Sequence, residues 1–331
     1  MMENSYQVVI IDAWRGHYVE TPDLETEILG PYARVSLLRV NSHHELVGQI
    51  ENADVVISWH TVPLPAEIIT RLQKCKGIVR AAVGFDNIDI VYAANRGIAV
   101  CNVPDYGTEE VADHTFALLL ASVRRIKALD EHVRNGGWDW RTIGRVPRLR
   151  DTNLGIVGMG RIGTAVARRA QAFGMNVGFY DPYISDGMDK ALCVRRFENL
   201  EELLINSQII SLHVPLSDET KHMIGRHEFK LMKNAILINT ARGNLIDHTA
   251  LIEALESDAL SFVALDVLSD EPEIPFELRE SDKVLLTPHV AFYSDAVMPE
   301  LRRKAAQAAL RFLLDQPQRC IVNGALLKTT R

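Results

Sequence analysis

His289, Glu271 and Arg242 are the side chains of this sequence best suited to moving a proton and holding an anion. His289 stands in Thr287-Pro288-His289, behind a proline whose ring restricts the backbone. An imidazole is the group best placed near neutral pH to give or take a proton. Glu271, in the segment Asp266 to Pro272, can hold one ring nitrogen and leave the other for a substrate. Arg242, in NTARGNLID (239 to 247), offers a planar fork of donors that suits a carboxylate and a neighbouring carbonyl. Each also has a plainer reading: His289 as a surface or satisfied core histidine, Glu271 as a solvated loop acid beside Asp270 and Glu273, Arg242 as half of a salt bridge.

These residues need a partner to act on, and the stretch Asn153 to Asp181, NLGIVGMGRIGTAVARRAQAFGMNVGFYD, supplies one. Leu154 to Val157 reads as a short buried strand, Gly158, Gly160 and Gly163 form G-x-G-x-x-G, and a helix follows with apolar positions at Ile162, Val166 and Ala170. Such a turn holds a pyrophosphate: the glycines permit the tight turn, the approach of the phosphates and the packing of helix on strand, and the helix start offers unpaired N–H groups. A second strand, Asn176 to Tyr180, delivers Asp181, whose carboxylate suits an adenosine ribose and repels a 2′-phosphate, so NAD is favoured over NADP.

The elements between these points alternate. Strand-like runs at Val8 to Ile11, Val35 to Val40, Val55 to Trp59, Ile78 to Ala82 and Ile98 to Cys101 form a first βα unit without a dinucleotide glycine pattern. After Asn102-Val103-Pro104 a helical stretch is expected from about Glu109 to Val133, followed by an irregular excursion, 134 to 151, rich in arginine and carrying Trp138 and Trp140. Further strands at Gln208 to Leu212, Ala235 to Ile238, Phe262 to Leu265 and Val284 to Leu286 bring the second unit to six. The amphipathic segment Ser294 to Leu314 is too near the end to found a domain, so it is expected to return to the first. The expected division is 1–103 with 295–331, and 104–294.

In open α/β sheets, ligands sit outside the carboxyl ends of the strands. Those ends in the second unit are Gly158, Asp181, His213-Val214-Pro215, Thr240-Ala241-Arg242, Asp266 and Thr287-Pro288-His289, which together describe one polar rim. The chemistry of that rim reads as hydride transfer between a nicotinamide and the 2-carbon of a 2-oxo acid. Arg242 would fix the carboxylate and polarise the carbonyl, and His289, held by Glu271, would protonate the alkoxide. Asp266 either orients the nicotinamide carboxamide or caps the loop that follows it. Trp59, Phe85 and Phe292 suggest an apolar wall, although Trp59 and Phe85 serve equally well as core residues.

Composition sets the bounds. A chain of 331 residues is comfortable for two domains, and 47% apolar with 24% charged residues describes an ordinary globular protein. A net charge of −7 without a basic run argues against nucleic acid as a main partner. Cys75, Cys101, Cys193 and Cys320 are scattered, with no C-x-x-C and no His spacing suited to zinc, so no metal is expected and reduced cytoplasmic thiols are. The longest apolar run, Phe116 to Val123, is too short to span a bilayer, and no signal segment opens the chain.

VGMGRIG (157 to 163), Asp181, NTARGNLID, ALDVLSDEP (264 to 272) and TPHVAFYSDA (287 to 296) together resemble the D-isomer-specific 2-hydroxyacid dehydrogenases over nearly the whole chain. VGFDNIDI (83 to 90), GIAVCNVPDYGTEEVADHT (97 to 115) and FYDPYISDG (179 to 187) are similar to the C-terminal-binding-protein branch, whose animal members are NAD(H)-binding corepressors. The resemblance implies two doubly wound parallel-sheet α/β domains, a Rossmann cofactor domain inserted into a flavodoxin-like substrate domain, and Arg242, Glu271 and His289 as the catalytic trio. It implies substrate binding by backbone amides at Val83 and Gly84, with His60, Arg80 and Phe292 nearby. Implied cofactor contacts are Thr115, Arg161, Ile162, Asp181, the loop from His213 through Val214 and Pro215 to Thr220, Thr240, Ala241 and Asp266. A homodimer through the cofactor domains, with helix 109 to 133 at the interface, is implied as well. The animal corepressors carry tryptophan where this chain has Phe292, and they carry an N-terminal arm and a long tail that are not expected here. The two functions to weigh are therefore an NAD-dependent enzyme acting on a small 2-oxo or D-2-hydroxy acid, and an NAD(H)-sensing dimeric corepressor-like binding protein.

Overall fold

The computed structural model describes residues 6–257 and 259–324. It divides into two compact units, Met1–Tyr106 with Ser294–Arg331, and Gly107–Tyr293. In the first unit five strands, β1 (Tyr6–Ala13), β2 (Ala33–Val40), β3 (Val55–Ser58), β4 (Gly77–Arg80) and β5 (Ala99–Asn102), form an all-parallel sheet in the order β2-β1-β3-β4-β5. Alternation along β1 explains why its run is apolar throughout. Val8 and Ile10 enter one buried cluster and Val9 and Ile11 another, so both faces of the sheet are covered. Each such buried side chain contributes about 1.5–3 kcal/mol.

The helix Val297–Leu313 packs on one of those faces through Leu301, Ala305, Ala309 and Phe312, all buried. The glycine at 77 in β4 leaves room for the Phe312 ring, which a Cβ would overlap. Arg302 on this helix is held by the buried Glu25, at 2.6 Å, and by Asp23 at 2.9 Å. The order of this sheet is the flavodoxin-like one.

The second unit has seven parallel strands: β6 (Asn153–Val157), β7 (Asn176–Tyr180), β8 (Arg195–Arg196), β9 (Ile209–Leu212), β10 (Ala235–Asn239), β11 (Leu260–Leu265) and β12 (Val284–Leu286). Their order is β12-β11-β10-β9-β6-β7-β8, the Rossmann arrangement with one further strand at its end. The expected count of six is corrected by β8. That strand is two arginines long, too short for any periodicity to reveal, and Arg195 rests on the Phe197 ring at 4.4 Å. The expected helix 109 to 133 is also corrected: it is two helices, Thr108–Arg124 and Ile126–Arg134. Arg125 breaks it with φ 52, donating its N–H to Ala121 and Ser122 carbonyls in a left-handed cap that glycine usually makes. Its guanidinium lies 4.9 Å from the Phe262 ring, which anchors the break. Among the described residues no helix is long and apolar enough to cross a membrane.

Candidate active site

The strand order of the second unit reverses beside β6, and the glycine turn lies at that point. Gly158 has φ +93, a conformation that a side chain would resist, and a Cβ there would approach the His213 carbonyl oxygen to 2.7 Å. Gly163 is packed so closely that a Cβ would overlap the Gly158 carbonyl. Gly160 differs: a Cβ there would meet nothing within 4 Å. It is the N-cap of the helix Arg161–Ala172 and has no side chain with which to take up the first amides of that helix. Open space at an uncapped helix start suits a diphosphate. Beside it, Asp181 Oδ2 accepts from the Met159 N–H at 2.9 Å, and Oδ1 accepts from the Tyr183 N–H at 2.9 Å. The acid is thus held against the glycine turn, where a ribose joined to that diphosphate would need it.

Around the rim, several residues named from the sequence hold their neighbours. Thr115 has no exposed surface, and its hydroxyl is spent on the Val111 carbonyl at 2.7 Å and the Thr240 hydroxyl at 2.8 Å. Thr115 thus ties the helix Thr108–Arg124 to the end of β10. Thr220 donates to the Pro215 carbonyl at 2.6 Å and closes the loop after β9. His213 Nε2 lies 2.8 Å from Ser211 Oγ, and burial pushes its pKa down to about 3, so the ring is neutral at physiological pH.

Arg242 follows β10 on a turn that the buried Asn239 clamps. Asn239 Nδ2 donates to the Arg242 carbonyl at 2.8 Å, and its Oδ1 accepts from the Ala241 N–H at 3.0 Å. Arg242 itself donates from Nη1 to the Ala241 carbonyl at 2.8 Å. Gly243 lies so close to Leu268 and Ser269 that a Cβ would overlap their backbone. The Arg242 turn and the loop that carries Glu271 therefore run backbone against backbone.

On that loop Glu271 Oε1 accepts from the Leu268 N–H at 2.9 Å, while Oε2 lies 2.7 Å from His289 Nδ1. His289 has φ 52, in the left-handed region, and Asp266 holds it there. The Asp266 carbonyl accepts from the His289 N–H at 2.8 Å, and its carboxylate accepts from the amides of Val290 and Ala291, each at 2.9 Å, and from the Thr287 hydroxyl at 2.6 Å. Asp266 thus caps the loop that follows β12. His114 completes this support, with Nε2 3.0 Å from Thr287 Oγ1.

Asn239, Gly243 and His114 escaped the sequence reading. Asn239 alone left a signal there, a polar residue closing an otherwise apolar strand.

In the first unit, Arg80 is 1% exposed and donates from Nε to Asn87 Oδ1 at 2.7 Å, with Nη2 2.9 Å from His60 Nδ1. Asn87 in turn donates to the carbonyls of Trp59 and Val62, and Asn102 donates to the Val83 carbonyl at 2.7 Å. Trp59 is a core residue, buried and stacked on Tyr18. Val83 is exposed and Gly84 half-buried. Phe292 belongs to the second unit, where its atoms lie near Gly107.

Comparison with known proteins adds an independent line. Residues 116–291 match the family model described as "D-isomer specific 2-hydroxyacid dehydrogenase, NAD binding domain". The chain is 38% identical over 288 residues to a glyoxylate reductase of Korarchaeum cryptofilum, covering 86% of each. It is 39% identical over 264 residues to a D-3-phosphoglycerate dehydrogenase of Methanocaldococcus jannaschii, covering 80% of this chain and half of that one. Among solved structures, D-lactate dehydrogenase of Aquifex aeolicus, complexed with NAD and lactic acid, superimposes with a TM-score of 0.84 at 30% identity, over 96% of this chain and 99% of that one.

Proposed function

Because this chain belongs to the D-isomer-specific 2-hydroxyacid dehydrogenases and is an NAD-dependent enzyme of that kind, we propose that it interconverts a small 2-oxo acid and its D-2-hydroxy acid, with His289, Glu271 and Arg242 as its catalytic residues. Bound NADH supplies the hydride that the 2-carbon of the oxo acid accepts. Arg242 pairs with the substrate carboxylate and with the carbonyl oxygen on which negative charge grows, so its attraction strengthens as the reaction proceeds. His289 gives a proton to that oxygen from Nε2, because Nδ1 is engaged by Glu271. Glu271 fixes the ring's orientation and offsets the charge of the imidazolium that precedes the transfer. In the oxidative direction the same nitrogen takes the hydroxyl proton.

The observation that carries this reading is the 2.7 Å pair of Glu271 and His289 on a loop packed against the turn of Arg242. A dehydrogenase needs such an acid–base pair and a corepressor-like module does not, which favours the enzyme over the reading as a member of the C-terminal-binding-protein branch. Cofactor contacts are assigned to Gly158, Gly160, Arg161, Ile162, Gly163, Asp181, His213, Val214, Pro215, Thr220, Thr240 and Ala241, supported by the open glycine turn and the acid beside it. Substrate contacts from the first unit are assigned to Val83, Gly84, Arg80 and His60 on the family resemblance.

A homodimer through the second unit is supported by the exposed apolar side chains Ile126, Val133, Trp138 and Trp140. Light scattering on Trp138→Ala/Trp140→Ala should show a monomer, and an unchanged mass would remove that interface. A cytoplasmic setting fits four free thiols, of which burial pushes the pKa of Cys75 up to about 12 and that of Cys101 to about 11.

The test of the activity is NADH oxidation across a panel of 2-oxo acids, including glyoxylate, hydroxypyruvate and branched analogues. Turnover with at least one is expected. NADH bound without turnover of any would contradict the proposal.

A further inference from the structure

No histidine spacing in the sequence suits zinc, but the fold of the first unit brings together donors that the chain keeps apart. His43 and His44 open the 3₁₀ turn His43–Leu46 that follows β2, and Glu67 stands in the first turn of the helix Ala66–Ile69 that follows β3. His43 Nε2 lies 2.9 Å from Glu67 Oε1, and His44 Nδ1 lies 3.5 Å from the same oxygen. The two rings face that oxygen together, with centroids 4.1 Å apart, and one donor atom from each of the three residues falls within 4.8 Å of the others. A tetrahedral ion with bonds of about 2.0–2.1 Å has edges of about 3.3–3.4 Å, a length that the two measured edges bracket.

The backbone behind these donors is fixed. Leu46, Ile68 and Ile69 are almost fully buried in one apolar cluster with Val40 and Leu64, so the turn and the helix are anchored to the same core. The donors themselves reach solvent, His44 with 73% and Glu67 with 59% of the side chain exposed, so an ion can enter and water can complete its shell. A plain surface ion pair accounts for one histidine on one carboxylate and is worth about 0–1 kcal/mol. Two imidazole nitrogens turned on one carboxylate oxygen also form a donor set that can share a cation.

We propose that His43, His44 and Glu67 bind one divalent transition-metal ion of the zinc class, which clamps the turn after β2 to the helix after β3. Two imidazole nitrogens and one carboxylate oxygen favour zinc, cobalt or nickel over magnesium or calcium. The ion binds the folded chain and not the unfolded one, so it stabilises the first unit by mass action.

The test is calorimetric titration of zinc chloride into the chelator-treated full chain, alongside His44→Ala and Glu67→Gln. Both substitutions fall on exposed side chains and should leave the fold intact, which circular dichroism checks. The parent chain should bind zinc and gain thermal stability from it; each variant should bind at this site at least tenfold more weakly and gain correspondingly less. Variant isotherms superimposing on the parent's, or no binding by the parent, would overturn the proposal. So would a zinc isotherm altered by His289→Ala but by neither of these variants.

Discussion

The two units of this chain solve the same packing problem and differ in what closes their strands. Both are parallel sheets of short apolar runs, buried on both faces, in which alternate residues of a strand such as β1 enter different clusters. In the first unit Arg80, at the end of β4, turns inward to Asn87 and His60 and orders the loops around it. In the second unit the strand ends carry the open glycine turn, Asp181, Arg242 and the Glu271–His289 pair. The sheet dictates where a functional group can stand, and the residues just past each strand decide which group stands there.

The comparison is broken most forcefully at Arg242. Arg242→Ala should lower kcat by roughly 10²–10³-fold, the cost of removing a donor aimed at developing charge, while NADH affinity and melting temperature stay near the parent's. Equal losses of turnover and NADH binding would contradict the assigned role. The glycines give a paired test. Gly163→Ala forces a methyl into the Gly158 carbonyl and should weaken NADH binding by at least tenfold. Gly97→Ala in the first unit, at φ +73 with nothing within 4 Å, meets only backbone strain of about 1 kcal/mol and should leave NADH binding unchanged. Fluorescence titration with NADH, read beside thermal melts, separates the two.

A smaller effect sharpens the role of Asp181. Asp181→Ala should raise KM for NADH several-fold and lower it for NADPH, because the carboxylate both holds the ribose and repels a 2′-phosphate. Parallel changes for the two cofactors would show that the acid serves only the turn.

The smallest effect lies with His213, whose pKa falls from the usual 6.5 to about 3 in the folded chain. The unfolded chain takes up this proton as pH falls below 6.5 and the folded chain does not, so stability present above pH 6.5 is lost progressively towards pH 3. His213→Gln should therefore show a shallower fall of melting temperature across that window than the parent. Matching slopes would show that the ring is protonated at no cost.

Much of this was legible in the sequence, for physical reasons that differ by element. Strands buried on both faces must be apolar along their whole length, and helices that cover them must be apolar at every third or fourth residue, so β1 and the helix Val297–Leu313 were plain. The left-handed break at Arg125 and the two-residue β8 were not. The first uses a residue that gives no turn signal, and the second is too short to have a period. Among the residues proposed for the site, His289, Glu271 and Arg242 stand out by chemistry because each lies beyond a strand end. His114 and Gly243 do not. They act through partners far away in sequence, Thr287 for one and Leu268 for the other. His43, His44 and Glu67 illustrate the same limit, since their convergence depends on two elements meeting on one core.

The central claim is that Glu271 and His289 work as one proton-transferring unit. Its most direct test is a double-mutant cycle on kcat/KM for the best 2-oxo acid, using Glu271→Gln, His289→Ala and the pair. If the claim holds, His289→Ala costs roughly 10²–10⁴-fold, and adding Glu271→Gln to it costs almost nothing more. Losses that multiply, each substitution costing as much in the other's absence as alone, would show two residues acting separately and contradict the account.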